Sequence, residues 1–164
     1  RDGFVRRLLK PLVLAKLIDV AQVEPGDLVL DLACATGYSS AVLAHLAAAV
    51  VAVEEEDALA ERARATLRDL QLNNVTVRTA PLEGGSAADG PYDVILINGA
   101  VEILPDSLGA QLKDGGRLVC VQRHGPVGRG MLYLSSAGGL SGRSVFDAAA
   151  PLLPGFVEPP AFVF

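Results

Sequence analysis

The sequence of 164 residues has few of the residues from which metal centres and disulfide frameworks are built. It contains no Trp, one Met, two His and two Cys. Cys34 and Cys120 lie 86 positions apart, and neither has a second Cys or a His at metal-ligand spacing. We therefore predict no metal site and no disulfide framework. Thiols without such a pattern favour a reducing compartment, so we expect a cytoplasmic protein.

Basic residues are not concentrated in any part of the sequence. Nineteen acidic and 14 basic residues give a net charge of −5, and the longest basic block is Arg6 with Arg7. A basic stripe that could follow nucleic-acid phosphates is missing, so we predict no nucleic-acid partner. The opening residues do not have the pattern of a signal peptide, and we expect none.

An uncharged run of 22 residues, 32–53, is long enough to cross a bilayer. Eight of its residues are alanine, which favours membrane insertion weakly, and a Gly-Tyr-Ser-Ser segment interrupts it. We therefore interpret it as the end of a strand, a loop, a helix over 38–47 and a second strand, and we predict no membrane contact.

The residues that are abundant predict a packed α/β domain, since 51% are hydrophobic and the mean hydropathy is +0.38. Five short apolar runs have the composition of strands: 28–32, 49–53, 75–79, 93–98 and 117–121. Their consecutive apolar residues are typical of strands buried on both faces of a parallel sheet. Helical patterns lie between them, most clearly at 57–72, and a first helix at 11–23 precedes them. We predict a doubly wound, mostly parallel, Rossmann-like sheet with helices on both faces.

The pattern changes after residue 121. Three glycines interrupt it: Gly125, Gly128 and Gly130. Apolar runs at 131–135 and 141–146 flank a glycine turn, which predicts an antiparallel hairpin closing the edge of the sheet. The proline-rich tail carries three phenylalanines that could dock another subunit or join the edge: Phe156, Phe162 and Phe164. With neither a repeat nor a linker, we expect one domain over 1–164.

Small residues follow a carboxylate where the first predicted strand ends. In the stretch VLDLACATGY, Asp31 is followed at alternate positions by Ala33, Ala35 and Gly37. Small side chains let a ligand approach the backbone, and the helix that follows presents N–H groups beside it. Glu54 ends the second strand, where a carboxylate can accept hydrogen bonds from both hydroxyls of a ribose. The pattern predicts a nucleoside cofactor.

The spacing of the small residues distinguishes between cofactor classes. A G-x-G-x-x-G dinucleotide fingerprint laid on Ala33 and Ala35 would place the large Tyr38 at its third small position. The observed D-x-A-x-A-x-G instead resembles the first motif of class I S-adenosylmethionine-dependent methyltransferases, E/D-x-G-x-G-x-G. In those enzymes the loop holds the amino-acid end of the cofactor, and an acid after the second strand holds the ribose.

The resemblance extends to one family. The segments 28–44, 53–64, 74–78, 91–95 and 111–119 resemble, in order, protein-L-isoaspartate O-methyltransferases over roughly 11–122. It implies the class I methyltransferase fold, S-adenosylmethionine as cofactor, and methyl transfer to an L-isoaspartyl carboxylate in damaged protein. It also implies a set of cofactor-binding residues: Asp31, Ala33, Ala35, Gly37, Tyr38, Glu54, Leu82 and Asn98. Asn98 is also the candidate catalytic residue.

The sequence departs from the family pattern at several places. Alanines replace two loop glycines, which narrows the pocket by a methyl each and is tolerable where φ is negative. Pro81 stands where the family's acid binds the adenine amino group, which leaves the backbone N–H of Leu82 for that edge. Leu9 stands where the family has a serine at the methyl-transfer site, and the family's upstream helical part has no counterpart here.

Methyl transfer to a carboxylate needs no general base, because the nucleophile is already ionised near pH 7. The lack of a Ser-His-Asp set therefore does not count against methyl transfer.

Two alternatives stay open: a methyltransferase of the same fold with another acceptor, small or macromolecular, and a non-catalytic module that binds S-adenosylmethionine or S-adenosylhomocysteine. A dinucleotide-dependent oxidoreductase is a third. The oligomeric state is open.

Overall fold

The computed structural model describes residues 6–137 and 139–159. Its strands are β1 Leu28–Leu32, β2 Ala49–Glu54, β3 Val75–Thr79, β4 Tyr92–Val101, β5 Leu112–His124, β6 Val127–Ser136 and β7 Gly139–Asp147. Its α-helices are α1 Pro11–Ala21, α2 Tyr38–Ala44, α3 Asp57–Asp69 and α4 Asp106–Gly109. The strand and helix segments expected from the sequence are all present.

The seven strands form one sheet in the order β3-β2-β1-β4-β5-β6-β7. The first five are parallel, and β6 and β7 are antiparallel to their neighbours. The winding direction reverses between β1 and β4, and at such a point the carboxyl ends of the strands leave a crevice. The predicted doubly wound fold and edge hairpin are confirmed.

The two faces of the sheet are covered unequally. Helices α1, α2 and α3 pack on one face, where Val29, Val94 and Val119 point into the core. On the opposite face, Leu30 and Ile95 lie beneath α4, a 3₁₀ turn and the chain after β7. The expectation of helices on both faces is confirmed, although the second face carries only a one-turn α-helix.

The chain after β7 is part of the core. Leu153 and Phe156 are buried, and residues 151–156 hydrogen-bond to the backbone of β4 around Ala100. Together with the pairing of Ala100 and Val101 to β5, these hydrogen bonds continue β4 to Val101, three residues past the predicted end, so Asn98 lies inside the strand and not at its end. Of the tail phenylalanines, Phe156 packs within its own domain, whereas Phe162 and Phe164 lie outside the described residues.

The expectation that Gly128 and Gly130 interrupt the chain is wrong. Both lie inside β6, where they make room for close neighbours: the carbonyl of Ala148 at Gly128 and the ring of Phe146 at Gly130. Gly125, with φ of 60°, forms the turn between β5 and β6. Between β6 and β7, Gly138 lies outside the described residues.

The uncharged run divides as expected into the end of β1, a loop, α2 and β2. Helix α2 stops at Ala44, before the predicted residue 47, because the chain turns there into β2, and α3 stops at Asp69 instead of residue 72. None of the helices in the described parts of the chain has the length and apolar character needed to span a membrane.

Candidate functional site

The loop between β1 and α2 crosses from the end of β1 towards the end of β2. The amide of Cys34 donates to the carbonyl of Val53 over 3.2 Å, and the amide of Ala35 donates to the carboxylate of Glu54 over 2.9 Å. The loop therefore passes from the carboxyl end of β1 to that of β2, and its backbone is hydrogen-bonded to β2.

Three alternate loop residues have left-handed backbone conformations: Ala33 with φ of 60°, Ala35 with φ of 49° and Gly37 with φ of 88°. The condition that made the two alanines tolerable, a negative φ, is not met. An L-residue in this region costs roughly 1 kcal/mol relative to glycine. Gly37 also lies against α3, where a Cβ would come within 3.3 Å of Ala63 Cβ.

The alanine methyl groups do not narrow an open pocket, which corrects a second expectation. Ala33 and Ala35 are 1% and 3% exposed, and Ala33 packs among core side chains that include Leu32 and Val53. The left-handed backbone turns the methyls into the protein. The loop keeps its small-residue path, but it does so under backbone strain.

Asp31 lies beneath this loop and is completely buried. Strand alternation places Asp31 and Asn98 on the face that carries α2. Ser39 and Ser40 of α2 donate to Asp31 Oδ2 over 2.8 and 2.5 Å, and Asn98 Nδ2 donates to Asp31 Oδ1. Burial raises the pKa of Asp31 to about 6, although these hydrogen bonds oppose the shift. The carboxylate thus joins β1, α2 and β4.

Asn98 is therefore directed into the protein. Besides Asp31, its side-chain amide donates to the carbonyl of Leu32 over 3.2 Å, and the residue is 6% exposed. The structure brings Asn98 together with Asp31 and the start of the loop. In this position the Asn98 side chain orients Asp31 and the carbonyl of Leu32 through its hydrogen bonds.

Glu54, at the end of β2, is also completely buried. Its Oε1 accepts hydrogen bonds from the amides of Glu55 at 3.0 Å and Glu56 at 3.2 Å, and its Oε2 accepts the Ala35 amide. Its Oε1 also accepts a hydrogen bond from the guanidinium of Arg6 over 2.8 Å. Glu54 is thus the point at which the loop, β2 and the segment before α1 meet.

A cavity of about 330 Å³ opens beside these groups at the carboxyl ends of β2 and β3. Its lining residues are Glu55, Glu56, Thr79, Ala80 and Pro81. Leu82 follows directly, buried in the core at the start of a 3₁₀ turn. Tyr38, at the start of α2, is half exposed at 53%.

Two other sequence features have structural explanations. Leu9 is buried among the side chains that pack between α1 and the sheet, which accounts for an apolar residue at that position. Cys34 is buried, and desolvation raises the pKa of its thiol well above the ordinary value, so the thiol is held protonated. Within residues 6–137 and 139–159, no cluster of His, Cys, Asp and Glu is placed to hold a metal ion.

Sequence reasoning did not single out four residues of this site. Ser39 and Ser40 had a usable signal, since they follow Gly37 in the first turn of a helix that starts above a buried acid. Arg6 and Glu55 had none, because an ion pair between residues 49 positions apart leaves no local pattern.

The comparisons with known proteins identify related sequences. The family described as protein-L-isoaspartate(D-aspartate) O-methyltransferase matches residues 5–133. Protein-L-isoaspartate O-methyltransferase 2 of Polaromonas sp. is 40% identical over 117 residues, which are 71% of this chain and 56% of that protein. The protein-L-isoaspartate O-methyltransferase of Methylorubrum extorquens is 37% identical over 136 residues, 83% of this chain and 59% of that protein. The chain spans about half the length of the curated relatives it matches.

Solved structures show the same fold. A protein-L-isoaspartate O-methyltransferase superposes with a TM-score of 0.82 at 24% identity, covering 88% of this chain and 47% of that one. A putative protein-L-isoaspartate O-methyltransferase from Plasmodium falciparum, in complex with S-adenosyl-L-homocysteine, superposes with a TM-score of 0.73 at 17% identity, covering 92% of this chain and 78% of that one. These superpositions establish the class I methyltransferase fold.

Proposed function

The chain belongs to the protein-L-isoaspartate O-methyltransferase family, and on that premise we propose that it binds S-adenosylmethionine and methylates L-isoaspartyl carboxylates in damaged proteins or peptides. The observation that carries the proposal is the loop between β1 and α2. The buried carboxylate of Asp31 lies beneath this loop, and the buried carboxylate of Glu54 lies where the loop meets β2. Because the chain spans about half the length of its relatives, the substrate is a proposal that the peptide assay below tests.

The residues present fit such a cofactor in two respects. The small residues Ala33, Ala35 and Gly37 keep large side chains out of the loop, and the two alanine methyl groups are buried in the protein. Glu55 lines the cavity at the end of β2, directly after the buried Glu54, so carboxylate acceptors for hydroxyl groups lie at this point. Arg6 lies on both carboxylates and has to leave for a ribose to reach them.

When bound, S-adenosylmethionine would supply an electrophilic methyl group: the acceptor carboxylate would form the new O–C bond as the S–C bond breaks, with S-adenosylhomocysteine as the leaving group. The chain contributes position and exclusion of water, since the acceptor is already ionised. Asp31 fixes the loop through Ser39 and Ser40, and we propose that Asn98 serves as a positioning residue that orients Asp31. The methyl-transfer chemistry requires no proton acceptor from the protein.

Calorimetric titration of S-adenosylhomocysteine tests the cofactor. We expect binding to the wild type, weakening of about tenfold or more for Glu54→Gln, and no change for Glu24→Gln, an exposed control. An unchanged affinity of Glu54→Gln for S-adenosylhomocysteine would mean that the ribose does not bind at Glu54. Absence of heat at millimolar ligand would remove the cofactor assignment.

Transfer of labelled methyl tests the acceptor. We expect incorporation into an L-isoaspartyl peptide and none into the same peptide with ordinary aspartate. Equal labelling of both peptides, or labelling of neither while S-adenosylhomocysteine binds, would contradict the isoaspartyl assignment.

A non-catalytic cofactor-binding module is the second candidate, and Leu9 is the observation that favours it. Leu9 is 6% exposed and packed in the core at the position where the family has a serine. This candidate predicts that S-adenosylhomocysteine binds with wild-type heat while neither peptide, nor any other carboxylate acceptor tested, is methylated.

We propose a reducing compartment, the cytoplasm, because both cysteines are buried as free thiols. One continuous seven-stranded sheet supports a single domain over 1–164. The lack of a basic stripe in the sequence supports a protein or small-molecule acceptor over a nucleic acid.

A further inference from the structure

Arg6 lies in the segment before α1, far from β2 in sequence, yet its side chain ends at the carboxyl end of β2. Its Nη2 donates to Glu54 Oε1 over 2.8 Å and to Glu55 Oε1 over 3.0 Å. The side chains of Arg6 and Glu54 are 5% and 0% exposed, so this contact is shielded from water. Nothing in methyl transfer requires a buried arginine at that point.

Arg6 occupies the more crowded of the two oxygens of Glu54. Each carboxylate oxygen offers about two lone-pair positions. Oε1 accepts three donors, the amides of Glu55 and Glu56 and the guanidinium of Arg6, whereas Oε2 accepts the amide of Ala35. A ligand hydroxyl can bond to Oε1 only if one of its donors leaves.

Arg6 is the donor that can leave. The three amides belong to the backbone at the end of β2 and in the loop, whereas Arg6 reaches Glu54 with a long side chain from the segment before α1. Arg7 and Leu8 are exposed, and the next buried residue is Leu9. Movement of the short stretch before Leu9 therefore releases the guanidinium without disturbing α1.

Release of Arg6 creates the acceptor pattern that a ribose needs. Arg6 contacts one oxygen of Glu54 and one oxygen of Glu55, so its departure frees one acceptor position on each carboxylate. Two adjacent acceptors correspond to the two hydroxyls of a vicinal diol. The same departure leaves the two carboxylates without a cation. The hydroxyl groups of a ligand would then donate charge-assisted hydrogen bonds to them.

We propose that the guanidinium of Arg6 occupies the ribose subsite of the ligand-free protein, so that Arg6 sets cofactor affinity by competing with the ribose for Glu54 and Glu55. This inference rests on the proposed function, because it concerns the same site. The Arg6 guanidinium and the ribose cannot occupy the subsite together, and each lowers the apparent affinity of the other for the two carboxylates by the same factor.

Titration of S-adenosylhomocysteine into the wild type, Arg6→Ala and Arg7→Ala tests the competition. Loss of the competitor should tighten binding to Arg6→Ala by a factor of about 5 to 150, the usual range for coupled binding events. Arg7→Ala removes the same charge from an exposed neighbour and should leave the affinity within about twofold of the wild type.

A measurement on the wild type guards against misfolding of Arg6→Ala. Phenylglyoxal modifies accessible guanidinium groups, and mass spectrometry of peptides reports the rate at each arginine. We expect Arg6 to react slowly without ligand and at least about fivefold faster with saturating S-adenosylhomocysteine, while Arg7 reacts at one rate in both.

The outcomes separate this inference from the proposed function. Binding to the wild type that is unchanged or weakened in Arg6→Ala, or an Arg6 that stays protected when ligand is bound, overturns the competition and leaves the cofactor assignment intact. Absence of binding to all three proteins removes the cofactor assignment and the competition together. Binding to Arg6→Ala alone supports both.

Discussion

The two buried carboxylates of the site, Asp31 and Glu54, lie at the ends of neighbouring parallel strands and are equally inaccessible to water. Their partners differ. Asp31 accepts hydrogen bonds from uncharged side chains that are fixed on α2 and β4. Glu54 accepts hydrogen bonds from three backbone amides and from one cationic side chain of the segment before α1. The first carboxylate is built into the scaffold, whereas the second has a partner that can be exchanged.

This difference assigns separate tasks to two acids that the sequence motif presents as a pair. A carboxylate whose donors all belong to packed elements stabilises the fold and shapes the loop. A carboxylate with one exchangeable donor is the place where a ligand can bind. Four predictions test this division.

The largest effect is expected for Asp31→Ala. It removes the acceptor of two buried hydroxyls and one buried amide, and each unsatisfied group carries a desolvation cost. We expect a loss of about 3–5 kcal/mol in the free energy of unfolding, measured by chemical denaturation followed by circular dichroism. Asp19→Ala, an exposed control, should change it by less than about 0.5 kcal/mol. A loss below about 1 kcal/mol would contradict a scaffold role for Asp31.

The next largest effect is a dependence of stability on pH. Burial raises the pKa of Asp31 from 3.8 to about 6, so between these values the folded state binds a proton that the unfolded state releases. The fold should therefore lose about 3 kcal/mol through Asp31 as pH rises from about 4 to 6.

Asp31→Asn provides the reference for that pH dependence, because it keeps the shape of the side chain and cannot titrate. The difference in unfolding free energy between wild type and Asp31→Asn should shift against the wild type between pH 4 and pH 7. A difference that stays constant over this range would show that Asp31 titrates at its ordinary pKa.

A smaller effect should connect Arg6 to one carboxylate and not to the other. In a double-mutant cycle, Arg6→Ala and Glu54→Gln should be coupled by about 1–3 kcal/mol, because a charge-assisted hydrogen bond joins the two side chains. Arg6→Ala and Asp31→Asn should be additive within about 0.5 kcal/mol. Equal coupling in both cycles would remove the distinction between the two acids.

The smallest effect concerns the loop between them. Ala35→Gly should raise the free energy of unfolding by about 0.5–1 kcal/mol, because glycine adopts the left-handed conformation without strain. Ala41→Gly, inside α2, should lower it by a similar amount. Destabilisation by both substitutions would mean that Ala35 is not strained.

The sheet and its order of elements were accessible from the sequence. Consecutive apolar residues gave β1 its observed bounds, since a strand covered on both faces records its length in composition. The predicted bounds of β3 are also confirmed, although β3 is an edge strand in which Thr76 and Arg78 are exposed. The ends of β4 and β5 were placed too early. Their extensions depend on pairing with each other, with the chain after β7 and with β6, and such partners lie far away in sequence.

The position of Asp31 and Glu54 at the strand ends was determined by the sequence alone, because the order of strand, small-residue loop, helix and strand permits few arrangements. Only the tertiary structure decided what each carboxylate binds. The contact of Arg6 with Glu54, and the left-handed turn of the two alanines, arise from packing between segments that share no local pattern. Local composition indicates where the strands lie along the chain, but the partner of a buried charge depends on which side chains the completed fold brings close to it.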